Sequence, residues 1–408
     1  MLPTTDAVPL DDVELPFLDI TSDEYFQDPF AAVEALRRTD PRGARLVRTV
    51  RGVDLMRYDA GKALLTDKRI LNPDVTHFAE MGAGPLLVEY LSNGKMNAMR
   101  GQQHLAHRKL LTPPLSPGTV AAQRRTYREI ADELIDGLAA GRCDLVADFS
   151  HSYPVRILCR ALGVPVTDIH VFERMTLEFA LINSFPLEPY VPRIEAALQA
   201  LVDYVSELIE RRTAVPGGEF VDELVGYERD GRMTKKEIVW SLVTLMQAAH
   251  FTTRNQTVSI VRALLETGLW DAVAANRSLI PAAVEEGMRY YPVVLGVTRV
   301  VGGEGVVFDD VELPVGTLVR WNPMGATRDP GFFDQPYRFD LARDTRGRIP
   351  FGWGLHKCLG HTMARADMEV AVEALTERLV SPVIETPPRM VATGSLWGAE
   401  ALRLRFDT

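Results

Sequence analysis

The chain is poor in cysteine, with Cys143, Cys159 and Cys358 the only three in 408 residues. Three scattered thiols are too few for a disulfide framework or a zinc site, and they suit a reducing, cytoplasmic setting. Positive charge is also in deficit: 45 Lys and Arg against 55 Asp and Glu leave a net charge of −10. That balance argues against nucleic acid as a bulk partner. No low-complexity tract, fixed-period repeat or Pro/Ser/Gly-rich linker interrupts the chain, so residues 1–408 read as one domain. Residues 1–17 are rich in Pro and Asp and lack a basic start followed by an apolar run. They are expected to belong to an irregular arm over 1–20, neither a signal peptide nor a membrane anchor.

What the chain does have is apolar periodicity, carried by a 46% share of hydrophobic residues. After Ser22 as N-cap, the spacing of Phe26, Phe30, Val33 and Leu36 predicts one helix to Arg38. Short β-type pieces are expected over 44–55, and a loop-rich, Gly-punctuated stretch over 72–97. Helical patterns follow at 119–140, Ile169–Phe179, 192–212, 234–267, 269–275 and 282–289. Beyond Tyr290, Val- and Gly-rich strands take over at 298–301, 305–308 and 317–321. Many helices segregated from a few short strands predict a mainly α (α+β) fold.

The segment from Thr234 has the clearest physics. Thr234 and Glu237 have the spacing of a capping box, and Ile238 to Met246 are apolar nearly all the way round, which predicts burial on every side. A helix to about Leu265 would be roughly 48 Å long at ~1.5 Å per residue. Such a core-spanning helix then carries Gln247, His250, Thr252 and Thr253 in mid-course, and polar groups there need a purpose.

The run Phe351-Gly352-Trp353-Gly354-Leu355-His356-Lys357-Cys358-Leu359-Gly360 is the most informative feature. Glycines on both sides of a lone cysteine let backbone pass close to a flat ligand. An amphipathic helical pattern follows, with Met363, Ala366, Val370 and Ala374 on one face, so Cys358 precedes a helix N-terminus that favours a thiolate. The run resembles the haem-binding loop of the cytochromes P-450, Phe-Gly-x-Gly-x-His-x-Cys-x-Gly, at every specified position. The resemblance extends over essentially the whole chain after about residue 100. Glu286 and Arg289 match the family's Glu-x-x-Arg, Pro336-Tyr337-Arg338-Phe339 matches its Pro-x-Arg-Phe, and Ala326-Thr327-Arg328-Asp329-Pro330 fits the approach to it.

The resemblance implies a single triangular, mainly helical domain holding haem b through Cys358. It implies haem contacts from His104, Arg108, Arg299 and His356, with Phe351, Gly352 and Ala248 against the ring. Glu286, Arg289 and Arg338 become a structural triad, and Thr252 the catalytic alcohol of oxygen activation. Substrate walls are expected at Thr244, Gln247, Val294, Leu295, Val297 and Leu396, with Trp397, Phe179, Ile182 and Phe185 as further candidates. Gln247 and Thr244 stand where relatives usually have apolar residues, and a buried glutamine there is expected to pair either with a carbonyl of its own helix or a neighbour, or with a polar group of the substrate.

The chain departs from the pattern at Ala248-Ala249-His250-Phe251-Thr252, where most relatives read Ala-Gly-x-Asp/Glu-Thr. Phe251 cannot shuttle protons. Ordered water, another group such as His250, or peroxide as the oxidant could each replace the missing acid. The implied activity is a monooxygenase that uses O2, with electrons from NAD(P)H through a ferredoxin or flavodoxin-type donor and its reductase. That donor would dock on a face carrying His107, Arg108, Lys109, His356, Lys357 and Arg365. The alternatives are a peroxygenase of the same fold and a non-catalytic haem protein that binds a ligand, a gas or a carrier domain.

Overall fold

Thr234 opens the longest helix as its sequence predicts. In the computed structural model, which describes residues 7–407, the Glu237 N–H donates to Thr234 Oγ1 at 3.2 Å and the Thr234 N–H to Glu237 Oε2 at 2.7 Å. These two bonds satisfy N-terminal groups that the helix cannot pair internally. The helix Lys235–Glu266 then runs for 32 residues. It packs against helices Tyr153–Leu162, Ile169–Phe179, Val191–Ala214, Ile280–Tyr290 and His361–Arg378. Close approach is bought by small residues: a Cβ on Gly287 would lie 2.6 Å from Ile260 Cγ1, and one on Gly398 2.6 Å from Asn255.

The strands form small sheets beside this helical body. The largest has five strands in the order Leu46–Thr49, Gly52–Leu55, Leu318–Trp321, Val297–Val301 and Ile70–Leu71. Its second and third strands pair in parallel and the other neighbours are antiparallel. A two-stranded hairpin, Met390–Thr393 with Leu396–Ala399, lies against the long helix. One large apolar core fills the helical body and a second lies beneath the five-stranded sheet. The result is mainly α with small sheets, as the segregation of patterns predicts.

Three expectations need correction. The helix expected over 22–38 is two helices, Asp23–Gln27 and Pro29–Thr39. Pro29 has no N–H to continue the first, and Asp28 caps the second by accepting from Phe30 and Ala31 at 3.1 and 2.9 Å. The stretch read as loop over 72–97 contains helices Val75–Glu80 and Pro85–Asn93. Part of the cap on the latter comes from far away, since Glu195 accepts the Leu86 and Leu87 N–H groups at 3.3 and 2.7 Å. The N-terminal arm is not wholly irregular: Val8–Pro9 pairs in parallel with Val311 and Glu312. Residues 1–6 of that arm lie outside the described residues.

Candidate functional site

Cys358 is presented by a turn that its glycines permit. Its N–H donates to Phe351 O at 2.9 Å. Gly352 and Gly354 adopt φ of +71° and +70°, a region that costs a residue with a Cβ. At Gly354 space is short as well, because a Cβ there would lie 3.1 Å from Leu65 O. The helix His361–Arg378 starts three residues after the cysteine. Cys358 is the exposed thiol, whereas Cys143 and Cys159 are buried and pushed up to about 12 by desolvation. Surrounding protein also raises the Cys358 thiol, while the Gly360 N–H, Arg108, Arg365 and Lys357 act the other way. A metal bound at this sulfur would deprotonate it outright.

Around this loop stand donors without acceptors. His104, on helix Gly101–Leu111, is fully buried, yet neither ring nitrogen has a partner. His356 lies beside it, with ring centres 4.4 Å apart. Its Nε2 is 3.3 Å from Asn72 Nδ2 and its Nδ1 is unpartnered. Burial and the neighbouring His104, Arg299 and Arg108 push His356 down to about 4. Among the described residues Arg299 donates only to the Thr298 carbonyl. Lys95, unforeseen from the sequence, is pushed down to about 8 by burial and by Arg299. No carboxylate of the described residues lies within 4 Å of these groups. Buried donors are normally paired, so this cradle fits a flat ligand that carries carboxylates, as haem does.

On the long helix the expected pocket residues separate. Thr252 Oγ1 donates to Ala248 O at 2.8 Å, and Ala248 itself is exposed. Gln247 is half-buried and makes no hydrogen bond among the described residues. Thr244 corrects the expectation. Its hydroxyl is held by Tyr90 Oη at 3.1 Å and donates to Gly94 O at 3.2 Å, so the protein itself uses its polar capacity. Strand alternation divides the next set. Val294 and Leu396 join Phe251, Ala180 and Leu177 in a small apolar cluster. Leu295 and Val297 turn instead into the main core and the sheet core. Phe179, Ile182 and Trp397 are core residues, and Trp397 is anchored by its Nε1 donating to Phe26 O at 2.7 Å.

His250 does not face this site. Its Nε2 is 3.0 Å from His151 O, which can only accept, so that nitrogen carries the proton. Its Nδ1 therefore accepts from Thr176 Oγ1 at 2.7 Å. Burial pushes the ring down to about 3 and keeps it neutral.

The triad also needs correcting. Arg289 pairs bidentately with Glu286, at 2.9 and 2.7 Å. The second arginine on Glu286 is Arg343, with Nε 3.1 Å from Oε1. Arg338 points its side chain to solvent and lends only its carbonyl, to Arg289 at 2.9 Å. The expected cationic docking face is thinner than its sequence suggests. His107 is buried against Ser241 at 3.0 Å, and Arg365 is tied to Glu285. Arg108 and His356 belong to the donor cradle, which leaves Lys109 and Lys357.

Comparison with known proteins agrees with this geometry. The cytochrome P-450 family model matches residues 272–392. Cyclomarin C epoxidase CymV of Salinispora arenicola is 33% identical over 322 residues, covering 78% of this chain and 81% of that protein. Luteothin monooxygenase of Streptomyces thioluteus is 29% identical over 404 residues, with 96% of each chain covered. The monooxygenase PikC of Streptomyces venezuelae is 30% identical, covering 91% and 89%. The crystal structure of CalO2 superposes with a TM-score of 0.87 at 25% identity, over 96% of this chain and 99% of that one. No helix among the described residues is long and apolar enough to cross a membrane. A haem cradle with a single exposed thiol, on this fold and among these relatives, makes the chain a member of the cytochrome P-450 family, a haem-dependent monooxygenase of the bacterial kind.

Proposed function

We propose that this single haem domain inserts one oxygen atom into a C–H bond of a small organic substrate that carries a polar group, by hydroxylation or by the O- or N-dealkylation that follows from it. The observation that carries the reading is the Gln247 amide, half-buried beside Ala248 with no partner among the described residues. An amide in that position costs desolvation free energy until a ligand pairs it.

In this reading Cys358 binds the haem iron, and the bound haem supplies a thiolate-ligated iron that activates O2. His104, Arg108, Arg299 and His356, joined by Lys95, bind its carboxylates, and Phe351, Gly352 and Ala248 bound the space around its ring. Val294 and Leu396 form apolar substrate walls, and Gln247 orients the polar group. Thr252 Oγ1, released from Ala248 O, can hold a water and pass its proton. Phe251 keeps its own side of the helix dry, because its ring packs with Leu177, Ala180, Val294 and Leu396. Electrons come from NAD(P)H through a ferredoxin or flavodoxin-type donor and its reductase.

The test is a titration of polar ligands read by the haem spin-state shift. Gln247→Leu should weaken the tightest polar ligand by about 1–3 kcal/mol, roughly 5- to 150-fold. Equal affinity in wild type and variant would remove Gln247 from the substrate site.

A further inference from the structure

Arg328 is 3% exposed, and its Nε and Nη1 have no partner among the described residues. Its Nη2 donates to Tyr290 O, and among the described residues it forms no ion pair. Its guanidinium carbon lies 4.1 Å from the centre of the Tyr290 ring and 4.6 Å from that of Phe30. The carboxylate whose field reaches it, Glu286, is already held by Arg289 at 2.7 Å and Arg343 at 3.1 Å. Three guanidiniums thus gather about one buried carboxylate, and Arg328 is the one without a contact. Burial, with repulsion from Arg289, pushes it down to about 10. A buried charge without a counter-ion is costly to keep, and the two ring faces offset only part of that cost.

This guanidinium borders a cavity of about 210 Å³. Pockets for drug-sized ligands run to roughly 300–1,000 Å³, so the occupant here is smaller. Phe30, Tyr291 and Trp397 wall it as an aromatic triangle, with ring centres 5.8, 5.8 and 5.9 Å apart. Tyr337, 47% exposed, stands at the rim. The other polar groups of the lining are already engaged. Gln27 exchanges two bonds with the Met390 backbone at 2.7 and 3.1 Å, and Tyr291 Oη and Arg262 Nε each donate to Glu266 at 2.7 Å. Asp28, the one carboxylate of the lining, accepts from Phe30 and Ala31 as a helix cap. Leu396 faces the apolar cluster around Phe251, whereas Trp397 turns the opposite way along the same strand, so the cavity lies across that strand from the substrate walls. Aromatic walls suit a flat ring, and a surplus guanidinium suits an anion.

We propose that this cavity is a second ligand site, apart from the haem and its substrate. It takes a small planar aromatic anion, such as an aromatic carboxylate, with the ring against Phe30, Tyr291 and Trp397 and the charge toward Arg328. The proposal does not rest on the reading of Gln247 as a substrate residue.

The probes are 2-naphthoate and 2-naphthalenemethanol. They are titrated by calorimetry, at neutral pH and low salt, into the haem-loaded enzyme with its iron ligated by 4-phenylimidazole, which fills the space above the haem. Wild type should bind the acid about tenfold tighter than the alcohol, the margin of a charge-assisted contact over a neutral one. Arg328→Gln should remove that preference. Arg328 also holds the Tyr290 carbonyl, so Tyr337→Ala tests the cavity without disturbing that support, and it should weaken both probes by about 3- to 10-fold, the range of one aromatic contact. The carbon monoxide band of each reduced variant, taken without 4-phenylimidazole, controls for folding. Binding of neither probe, equal affinity for the two, or acid binding unchanged by Tyr337→Ala would overturn the proposal, leaving Arg328 only a clamp on its rings. An acid preference that survives in folded Arg328→Gln would overturn it too. So would acid binding that appears only when 4-phenylimidazole is omitted, which would place the probe at the haem.

Discussion

Replacing Arg343 and Arg338 separately by alanine distinguishes which arginine completes the Glu286 network. Arg343 has 8% of its side chain exposed and Glu286 only 2%. Besides the 3.1 Å contact to Glu286, Arg343 donates to the carbonyls of Asp334 at 2.7 Å, Gln335 at 3.2 Å and Arg338 at 3.0 Å. Its loss strands those acceptors and removes one of two cations from a buried carboxylate, which costs about 3–5 kcal/mol. Arg338 has an exposed side chain whose hydrogen bond is a 3.4 Å contact to Gln335 Oε1, and such surface changes stay within about 0.5 kcal/mol. With about 2.1 cal/mol/K per residue, the unfolding entropy of 408 residues is about 0.9 kcal/mol/K. Arg343→Ala should therefore lower the thermal midpoint by roughly 3–6 °C, and Arg338→Ala by less than about 1 °C. Scanning calorimetry of the haem-loaded proteins under one set of conditions decides the matter. Equal shifts in the two variants, or no shift in Arg343→Ala, would refute the reasoning.

Two further outcomes follow, one from a buried carboxyl and one from the oxygen site. Asp367, on the cysteine helix, is 3% exposed with Oδ1 unpartnered, and burial holds its folded-state pKa well above the ordinary value of 3.8. The unfolded chain gives up this proton first as pH rises from about 4, so the group costs stability with increasing pH until its folded pKa is passed. Asp367→Asn should gain on wild type over that window by up to about 1.4 kcal/mol per pH unit, read by denaturant unfolding across pH; a pH-independent difference would exclude the assignment. At the oxygen site, Thr252→Ala should consume reductant while product falls by about 10²- to 10⁴-fold, the range of a lost proton-transfer group, if water relays protons past Phe251. Vigorous peroxide-driven turnover in wild type that survives Thr252→Ala would instead mark peroxide as the oxidant, and Phe251→Asp should then shift the balance toward O2 and reductant.

The parts legible in the sequence are those whose causes are local. The Thr234–Glu237 box, the apolar face of Lys235–Glu266 and the Gly352–Gly360 turn are set by neighbours a few residues away, and each appears where its pattern places it. Helix Pro85–Asn93 was hidden because Gly82, Gly84 and Pro85 punctuate the stretch, while part of its cap arrives from Glu195 over a hundred residues later. Arg338 and Arg343 lie five apart in similar surroundings, and only the folded path of 334–343 determines which one reaches Glu286. Lys95 carries no motif. Its significance comes from the charges that are missing around it, and a missing partner becomes visible only when distant segments are brought together. The roles expected of Thr244 and Leu295 failed for a related reason, since sequence position gives the helix face or strand side only to within one residue.

The neutral ring of His250 has a mechanical consequence. By joining Thr176 and the His151 carbonyl at once, it rivets helix Ile169–Phe179 and the start of the preceding helix to the centre of the molecule, one residue from Phe251. That helix is therefore a fixed post rather than a lever. A displacement of the segment beyond it, 180–187, would leave these two His250 contacts, and the helix turn that carries Phe251, in place.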